Sequence, residues 1–344
     1  MSRILITGST GFIGSAVLRQ ALAAGHEVGV LLRPGHAAPR TDSPASTFPA
    51  SPAVTALTGS MAQPPWEDLR RFSPDTLIHC AWIATPGVYL ESPENELHAQ
   101  WSEALALGLV EQGLRQLVVL GTCIEYRMGT ARLHETETPL EPTTPYARAK
   151  DQLRRRLVEQ LADHPGVRMA WGRVFYPYGE GEHPARLCSS LISSLRRGDE
   201  VVLKTPESTK DYIHISDLAG AILRVAEAQM DGPVNLGTGE GVTIREIADR
   251  LATLQAHLFS QPGVSFQDPQ SAEVKQLLQQ QTQQAIDLGL FGVPSMVVDG
   301  QVFWGNDALP MLRAYLEGDA WFESADWRDA GKLPVGIRRA PAAK

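Results

Sequence analysis

Tyr146-Ala-Arg-Ala-Lys150 places a phenol and an ammonium four residues apart, the spacing that makes them neighbours on one helical face. A free tyrosine ionises near about pH 10, too high for a good base at neutral pH. A lysine beside it, helped by a cationic cofactor ring, favours the phenolate and makes the phenol a usable acid/base. Thr122 follows the apolar run Leu117–Leu120, so its hydroxyl stands at a strand end, where it can bond a carbonyl or alcohol oxygen. Alone, a Tyr-x-x-x-Lys spacing also fits an ordinary surface pair. What the rest of the chain supplies decides between the two.

The segment Gly8-Ser9-Thr10-Gly11-Phe12-Ile13-Gly14 follows a strand-like run and opens a helix-like one. Gly8 and Gly11 lack a Cβ, so a pyrophosphate can approach the backbone, and the helix N-terminus offers free N–H groups. Gly14 lets the helix pack close to the sheet. Three glycines at this spacing also fit a plain tight turn, but the strand before and the helix after favour a dinucleotide. Where an NAD-preferring site carries a carboxylate, at the end of the second strand, this chain has Leu32 and then Arg33. A guanidinium suits a 2′-phosphate, so the expected cofactor is NADP, with NAD as the alternative. The plainer account of Arg33 is an exposed residue at a loop start. Ser60, after the third strand, is a candidate for the adenine pocket.

These groups need elements to hold them. Short apolar runs at Ile4–Thr7, Val28–Leu32, Val54–Leu57, Leu77–Cys80 and Leu117–Leu120 alternate with helical stretches at Phe12–Ala24, before Gly25, and Glu94–Gln112, before Gly113. That alternation is the signature of a parallel sheet with crossover helices. Residues 34–53, rich in Pro, Ala and Ser, read as a surface loop. A long helix is expected after Lys150, then a strand at Val167–Trp171, a Gly/Pro-rich stretch at Tyr176–Pro184, and helices near 185–197 and 216–229. The composition shifts again near 257–270 and turns Gln-rich beyond.

The chain has 344 residues, a length that allows two domains, and its 43% hydrophobic and 20% charged residues are those of a globular protein. Lys+Arg 31 against Asp+Glu 39 gives a net charge of −8, which disfavours nucleic-acid or anionic-membrane binding. Cys80, Cys123 and Cys188 form no Cys-x-x-Cys, and neither a disulfide framework nor a metal site is expected. No apolar run reaches bilayer length, and the N-terminus lacks a signal-peptide pattern, so a cytoplasmic protein is expected.

With these residues in this order, the chain resembles the extended short-chain dehydrogenase/reductase family, the NAD-dependent epimerases, dehydratases and reductases of nucleotide sugars. The resemblance spans residues 1–256. It rests on the glycine turn, Asp75–Ala81, Gly121-Thr122, Tyr146/Lys150, Arg173–Gly179, Asp211–Asp217 and Val234–Gly239. It implies that Tyr146 is the general acid/base, that Lys150 holds the nicotinamide ribose, and that Thr122 polarises the reacting oxygen. Gly8, Thr10, Gly11, Phe12, Ile13, Gly14, Arg33, Ser60, Cys80, Ala81, Trp82 and Phe175 would line the cofactor groove with Tyr146 and Lys150. Thr122, Cys123, Tyr176, Arg186 and Lys210 would face the substrate.

Departures from the family pattern narrow the chemistry. Dehydratases carry an Asp-Glu pair directly after the threonine; Cys123-Ile124 stand there and Glu125 is displaced by one, so dehydration is not expected. Tyr176 and Lys210 replace a usual asparagine and arginine that hold a nucleotide diphosphate. Asn95 stands roughly where the family has an asparagine. His79 and His214 are expected as satisfied structural residues, and His134-Glu135 and Glu180–His183 as solvated loops. The apolar positions of Ala104–Val110 read as core or a dimer face.

Residues Ala285–Asp307 resemble instead the last third of kappa-class glutathione transferases and hydroxychromene-carboxylate isomerases, whose fold is thioredoxin-like. A hairpin of Ser295–Val298 and Val302–Trp304 around Asp299-Gly300, then a helix at Ala308–Leu316, is expected. Pro294, Asn306 and Asp307 match positions near glutathione in that family. The first βαβ unit, with its catalytic serine, is absent, which argues against an independent glutathione enzyme.

The expected architecture is α/β, a doubly wound parallel Rossmann sheet with a smaller substrate lobe and an appended thioredoxin-like ββα fragment. Residues 1–172 would form the main Rossmann domain and 173–256 the substrate lobe with returning Rossmann segments. Residues 257–270 would be a linker, 271–322 the C-terminal fragment, and 323–344 a tail. The expected function is NAD(P)(H)-dependent reduction of a small-molecule carbonyl, a 4-keto nucleotide sugar, by a homodimer. A nucleotide-sugar epimerase and a non-catalytic NADP sensor or scaffold are the alternatives.

Overall fold

A computed structural model describes residues 2–35, 54–129, 132–260, 272–287, 295–299, 301–304, 308–324 and 327. The chain divides into two compact units, Met1–Val264 and Ser265–Lys344.

The first unit begins with β1 (Arg3–Thr7), α1 (Phe12–Ala23), β2 (Glu27–Leu32), β3 (Thr55–Thr58), α2 (Trp66–Phe72), β4 (Thr76–His79), α3 (Glu94–Val110) and β5 (Gln116–Thr122). It continues through α4 (Pro145–Leu161), β6 (Arg168–Val174), β7 (Tyr176–Tyr178), α5 (Leu187–Arg197), β8 (Thr209–Lys210) and β9 (Tyr212–His214). It ends with α6 (Ile215–Glu227), β10 (Gly232–Leu236), β11 (Val242–Thr243) and α7 (Ile244–Ser260). Seven strands form one parallel sheet in the order β10-β6-β5-β4-β1-β2-β3. The chain works outward from β1 through β2 and β3, then returns to the other side of β1 with β4. That reversal opens a crevice at the C-terminal ends of β1 and β4, where open α/β sheets bind ligands.

Alternation within the strands fills both faces. Ile4, Ile6, Val118 and Leu120 pack with α1 and α6, while Leu5, Leu117 and Val119 pack with α2, α3 and α4. Burial of each such side chain contributes roughly 1.5–3 kcal/mol, so the strands need no polar face. Leu105, Ala106, Leu109 and Val110 belong to the second cluster, which places the apolar stripe of α3 in the core. Glycines end the helices as expected: Gly25 at φ +79 and Gly113 at φ +100 lie in the left-handed region that closes a C-terminus.

Several boundaries differ from those read in the sequence. Helix α4 starts at Pro145 and not after Lys150. The Thr144 hydroxyl accepts from Ala147 N at 3.2 Å and Pro145 takes the first helical position, where its missing N–H costs nothing. Tyr146 and Lys150 therefore sit in the helix's opening turns. The Gly/Pro-rich stretch contains β7, which pairs in parallel with β9. Helix α7 runs through Ser260, past the start of the expected linker at 257. Outside the large sheet, β8 pairs with β11 and α5 packs against α7.

The second unit contains α8 (Ala272–Asp287), a hairpin of β12 (Ser295–Val298) and β13 (Gln301–Trp304), and α9 (Leu309–Leu316). Phe303 is buried and gathers Tyr315, Phe322 and Trp327 around it, with ring centroids 5.4, 6.4 and 6.3 Å away. Asp299, at φ 50 in the hairpin turn, accepts from the Tyr315 hydroxyl at 3.1 Å. Pro294, Asn306 and Asp307 lie outside the described residues, as do 36–53 of the expected surface loop.

Candidate active site

Three strand ends and one helix surround the crevice. The turn after β1 is shaped by what has no room to be there. Gly8 has φ +68, and a Cβ on it would stand 2.8 Å from Ala81 N. A Cβ on Gly14 would fall 2.2 Å from Gly8 O. Gly14→Ala is therefore expected to force α1 off the sheet and cost about 1–3 kcal/mol, read as a lower thermal midpoint of the full chain. An unchanged midpoint would mean that the helix shifts freely. At the head of α1, Gly11 provides no side-chain cap. Ser9 Oγ is buried and has no partner among the described residues.

Behind this turn His79 is fully enclosed, between Thr7 Oγ1 at 2.9 Å and Ser102 Oγ at 2.8 Å. Burial pushes its imidazole down to about 3, with Lys150 and His98 adding to the effect, so it is neutral at physiological pH. His79 is a structural tie between β1, β4 and α3. His214 accepts from Ser216 N at the head of α6.

Across the crevice, α4 packs against the end of β5 and carries Tyr146 and Lys150. Lys150 is buried and its Nζ donates to Leu120 O at 2.6 Å. Burial lowers its ammonium to about 7, against the pull of Glu125 and Cys80. The Tyr146 phenol is pushed above its ordinary value, chiefly by burial, with Tyr89, Glu125 and Cys123 adding and Arg186 opposing. The expectation joins Lys150 to a cationic cofactor ring in bringing the phenol down; the lysine by itself does not lower it. The ammonium lies 5.7 Å from the Tyr146 ring centroid, and desolvation outweighs it.

Beside Thr122, the Tyr176 phenol and the Cys123 thiol are close enough to shift one another's ionisation, and Lys210 Nζ stands 5.3 Å from the Tyr176 ring centroid. Burial pushes Cys123 up to about 12, so it is no thiolate nucleophile. Cys80 is raised likewise, to about 12. Thr122, Cys123, Tyr146, Lys150, Tyr176 and Lys210 are thus brought to one place, and Arg186, capping α5, is close enough to act on Tyr146. Phe175 N donates to Leu236 O at 3.1 Å, joining the lobe to β10. Arg33 is exposed just beyond β2. The Ser60 hydroxyl accepts from Gln63 N at 3.0 Å and closes the turn after β3.

Sequence reasoning missed the group beneath Thr122. Glu125 is wholly buried, and its carboxylate accepts from Thr122 N at 2.8 Å, Trp171 Nε1 at 3.0 Å and Arg173 Nε at 2.9 Å. Arg173 also donates to the Tyr126 hydroxyl at 2.9 Å, which donates to Asn235 Oδ1 at 2.7 Å. Gly121 is required here, because a Cβ would sit 2.6 Å from the Glu125 carboxylate. The two loops read as solvated also have duties. Glu135 Oε1 accepts from Asn235 N at 2.9 Å, and Glu182 accepts from Ser189 at the head of α5. Each is anchored by a free backbone donor that a loop reading overlooks. Among the described residues no cluster of His, Cys, Asp or Glu is arranged to hold a metal, and no helix is long and apolar enough to cross a membrane.

The sheet order, the glycine turn at its reversal and the Tyr146/Lys150 helix define a Rossmann-type α/β protein. A sequence model of the NAD dependent epimerase/dehydratase family matches residues 4–237, and the chain belongs to that family. A DSBA-like thioredoxin domain matches residues 235–317, overlapping the end of the first match. The chain is 25% identical over 249 residues to a dTDP-6-deoxy-L-talose 4-dehydrogenase (NAD(+)) of Aggregatibacter actinomycetemcomitans, covering 70% of this chain and 86% of the relative. It is 26% identical over 281 residues to a UDP-glucose 4-epimerase of Neisseria meningitidis serogroup B, covering 72% and 80%. A solved NAD-dependent NDP-hexosamine 5,6-dehydratase of tunicamycin biosynthesis superposes with a TM-score of 0.59 at 26% identity, covering 74% of this chain and 81% of that one. These relatives are enzymes, and so is the family to which the chain belongs.

Proposed function

We propose that this protein is an NADP(H)-dependent oxidoreductase that reduces the keto group of a 4-keto nucleotide sugar. The convergence of Thr122, Tyr146 and Lys150 on the crevice beside the Gly8–Gly14 turn carries this reading. The turn suits a dinucleotide: the space that a Cβ on Gly8 or Gly14 would fill is closed to any other residue, and the uncapped head of α1 and the unpartnered Ser9 hydroxyl offer donors. Gly8, Thr10, Gly11, Phe12 and Ile13 would hold the pyrophosphate, Arg33 a 2′-phosphate, and Lys150 the nicotinamide ribose. When bound, a nicotinamide supplies the two electrons of carbonyl reduction.

The chain's own residues then handle the oxygen and its proton. Thr122 donates a hydrogen bond to the carbonyl oxygen, and Tyr146 gives its phenolic proton to that oxygen as charge develops. Burial keeps the phenol protonated, which suits donation and hence the reductive direction. Lys210 and Arg186 supply positive charge for a nucleotide diphosphate. Glu125 is committed to Arg173 and Trp171, so it is not available as the acid or base of water elimination. A 4-epimerase would use the same three residues in an oxidation followed by a reduction, and one of the relatives bears that name. The working form belongs to the same proposal: a cytoplasmic homodimer whose substrate lobe spans 173–256.

Arg33→Ala is expected to weaken NADP⁺ binding about 10- to 100-fold while leaving NAD⁺ nearly unchanged, as loss of a charge-assisted hydrogen bond would. Isothermal titration with both dinucleotides reads the ratio. An unchanged ratio would reject the 2′-phosphate assignment.

A further inference from the structure

The ammonium of Lys150 is buried with little to compensate it. Lys150 is 3% exposed, and among the described residues its Nζ donates to one carbonyl, Leu120 O at 2.6 Å. No carboxylate lies in ion-pair contact with it among those residues; Glu125, in the turn after β5, is committed to Arg173. What covers the charge is the indole of Trp82, whose ring centroid lies 3.9 Å from Nζ.

Trp82 is itself fixed. Its Nε1 donates to Asn95 Oδ1 at 2.8 Å, and Asn95 is 1% exposed at the start of α3. The Asn95 amide donates to Tyr89 O at 2.7 Å and Ser92 O at 2.8 Å, holding the loop before α3. That loop reaches Tyr146: Leu90 O accepts from Tyr146 N at 3.1 Å, and the Tyr89 ring meets the Tyr146 ring edge-on at 4.9 Å. The Trp82 ring also meets Tyr146, edge-on at 6.3 Å. Lys150, Trp82, Asn95, the 89–92 loop and Tyr146 thus form a closed circuit, with one turn of α4 as its last side.

We propose that Trp82 is a positioning residue for Lys150: its indole face holds the ammonium charged and in place, and Asn95 couples that position to the loop that fixes Tyr146. A cation held over an indole away from water gains more from the ring face than one at an exposed site. The effect matters because burial has brought Lys150 close to neutrality in the physiological range. The other groups facing the ammonium are mixed. Glu125, in the turn after β5, favours its charge, while Cys80, after β4, is a neutral thiol in this range. His79 in β4 and His98 in α3 are held neutral and offer no negative charge. Tyr146 shares its helix and stays protonated.

The role assigned to Trp82 rests on the proposed function only for its consequence in cofactor binding, so two measurements separate the ideas. The first uses the full-length protein without dinucleotide. Brief acetic anhydride labelling across pH 6–9, read by mass spectrometry at Lys150, gives the pH at which the amine becomes reactive. In Trp82→Leu that midpoint is expected about one pH unit lower, and in Trp82→Phe, which keeps a smaller ring face, less than half a unit lower. An unchanged midpoint in both variants, with the urea midpoint also unchanged, would overturn the proposal whether or not any dinucleotide binds. Trp82→Phe keeps the test open should Trp82→Leu fail to fold.

The second measurement titrates NADP⁺ and NAD⁺ across the same pH range. Trp82→Leu is expected to move the alkaline loss of binding about one unit downward, and to add less than twofold on a Lys150→Met background. A loss that is equal at all pH values and additive with Lys150→Met would mark Trp82 as a merely structural groove residue and defeat the proposal. Failure of the wild type to bind either dinucleotide would defeat the functional reading instead, while the labelling result would still decide the role of Trp82.

Discussion

Tyr146→Phe is expected to lower kcat about 10²- to 10⁴-fold for reduction of the sugar substrate, the usual contribution of a positioned acid/base. The phenylalanine ring keeps the edge contacts with Tyr89 and Trp82, so the crevice should not collapse. Dinucleotide affinity and KM should therefore change less than about threefold, because the missing hydroxyl acts on an oxygen that acquires charge only during reaction. Stopped-flow or steady-state rates, paired with calorimetric titration of the dinucleotide, read both quantities. Undiminished turnover would remove Tyr146 from the mechanism. A variant that no longer binds dinucleotide would show that the phenol's main role is structural.

The same geometry gives the pH response of that reaction. Because burial raises the phenol, the proton needed for reduction is present across the neutral range and into the alkaline one. Lys150 runs the other way: its charge is fully present well below about 7 and is lost as the pH rises through that value, unless Trp82 or a bound anion retains it. A decline in reduction as the pH rises through about 7 is therefore expected from the lysine.

The parts of this site that were legible in the sequence are local ones. Gly8, Gly11 and Gly14 lie within one turn and its helix, and a Cβ on Gly14 would strike Gly8 of that same turn, whereas the clash at Gly8 is with Ala81, distant in the chain. Tyr146 and Lys150 are one helical turn apart, and the apolar runs of β1, β2, β4 and β5 are those of strands buried on both faces. The start of α4 was also written locally, in Thr144-Pro145, but the eye follows the longer charged run after Lys150. Strands β7 and β9 have three residues each, too few for any periodicity to register. The rise of the Tyr146 phenol could not be read at all, since it comes from burial by residues from four separate segments. The Glu125 group lies between these cases. Its members are 46 and 48 residues apart, yet Arg173 inside an otherwise buried strand implies a buried partner, and the only question was which carboxylate. The same distance effect explains why the sequence does not show Trp82 as the cover of Lys150.

That buried pair carries the largest stability effect expected in the molecule. Arg173→Met leaves the Glu125 carboxylate with 0% exposure and without its counter-charge, and should cost about 3–5 kcal/mol. Burial already pushes Glu125 upward, and the guanidinium is the strongest influence that opposes it. Without Arg173, the group must take up a proton or drag water into the space below Thr122. Glu125→Gln in the same chain should recover most of the loss, because the amide oxygen can still accept from Thr122 N and Trp171 Nε1 while no unpaired charge remains. Glu125→Leu should recover far less, since it strands both of those buried N–H groups. Urea unfolding followed by the NMR signal of the Trp171 indole N–H, which lies in the first unit and donates to Glu125, reports the relevant transition rather than that of the second unit. If Arg173→Met lost less than about 1 kcal/mol, the pair would be behaving as a solvated one. If Glu125→Gln gave no rescue, the hydrogen bonds, and not the charge, would be what holds the floor beneath Thr122.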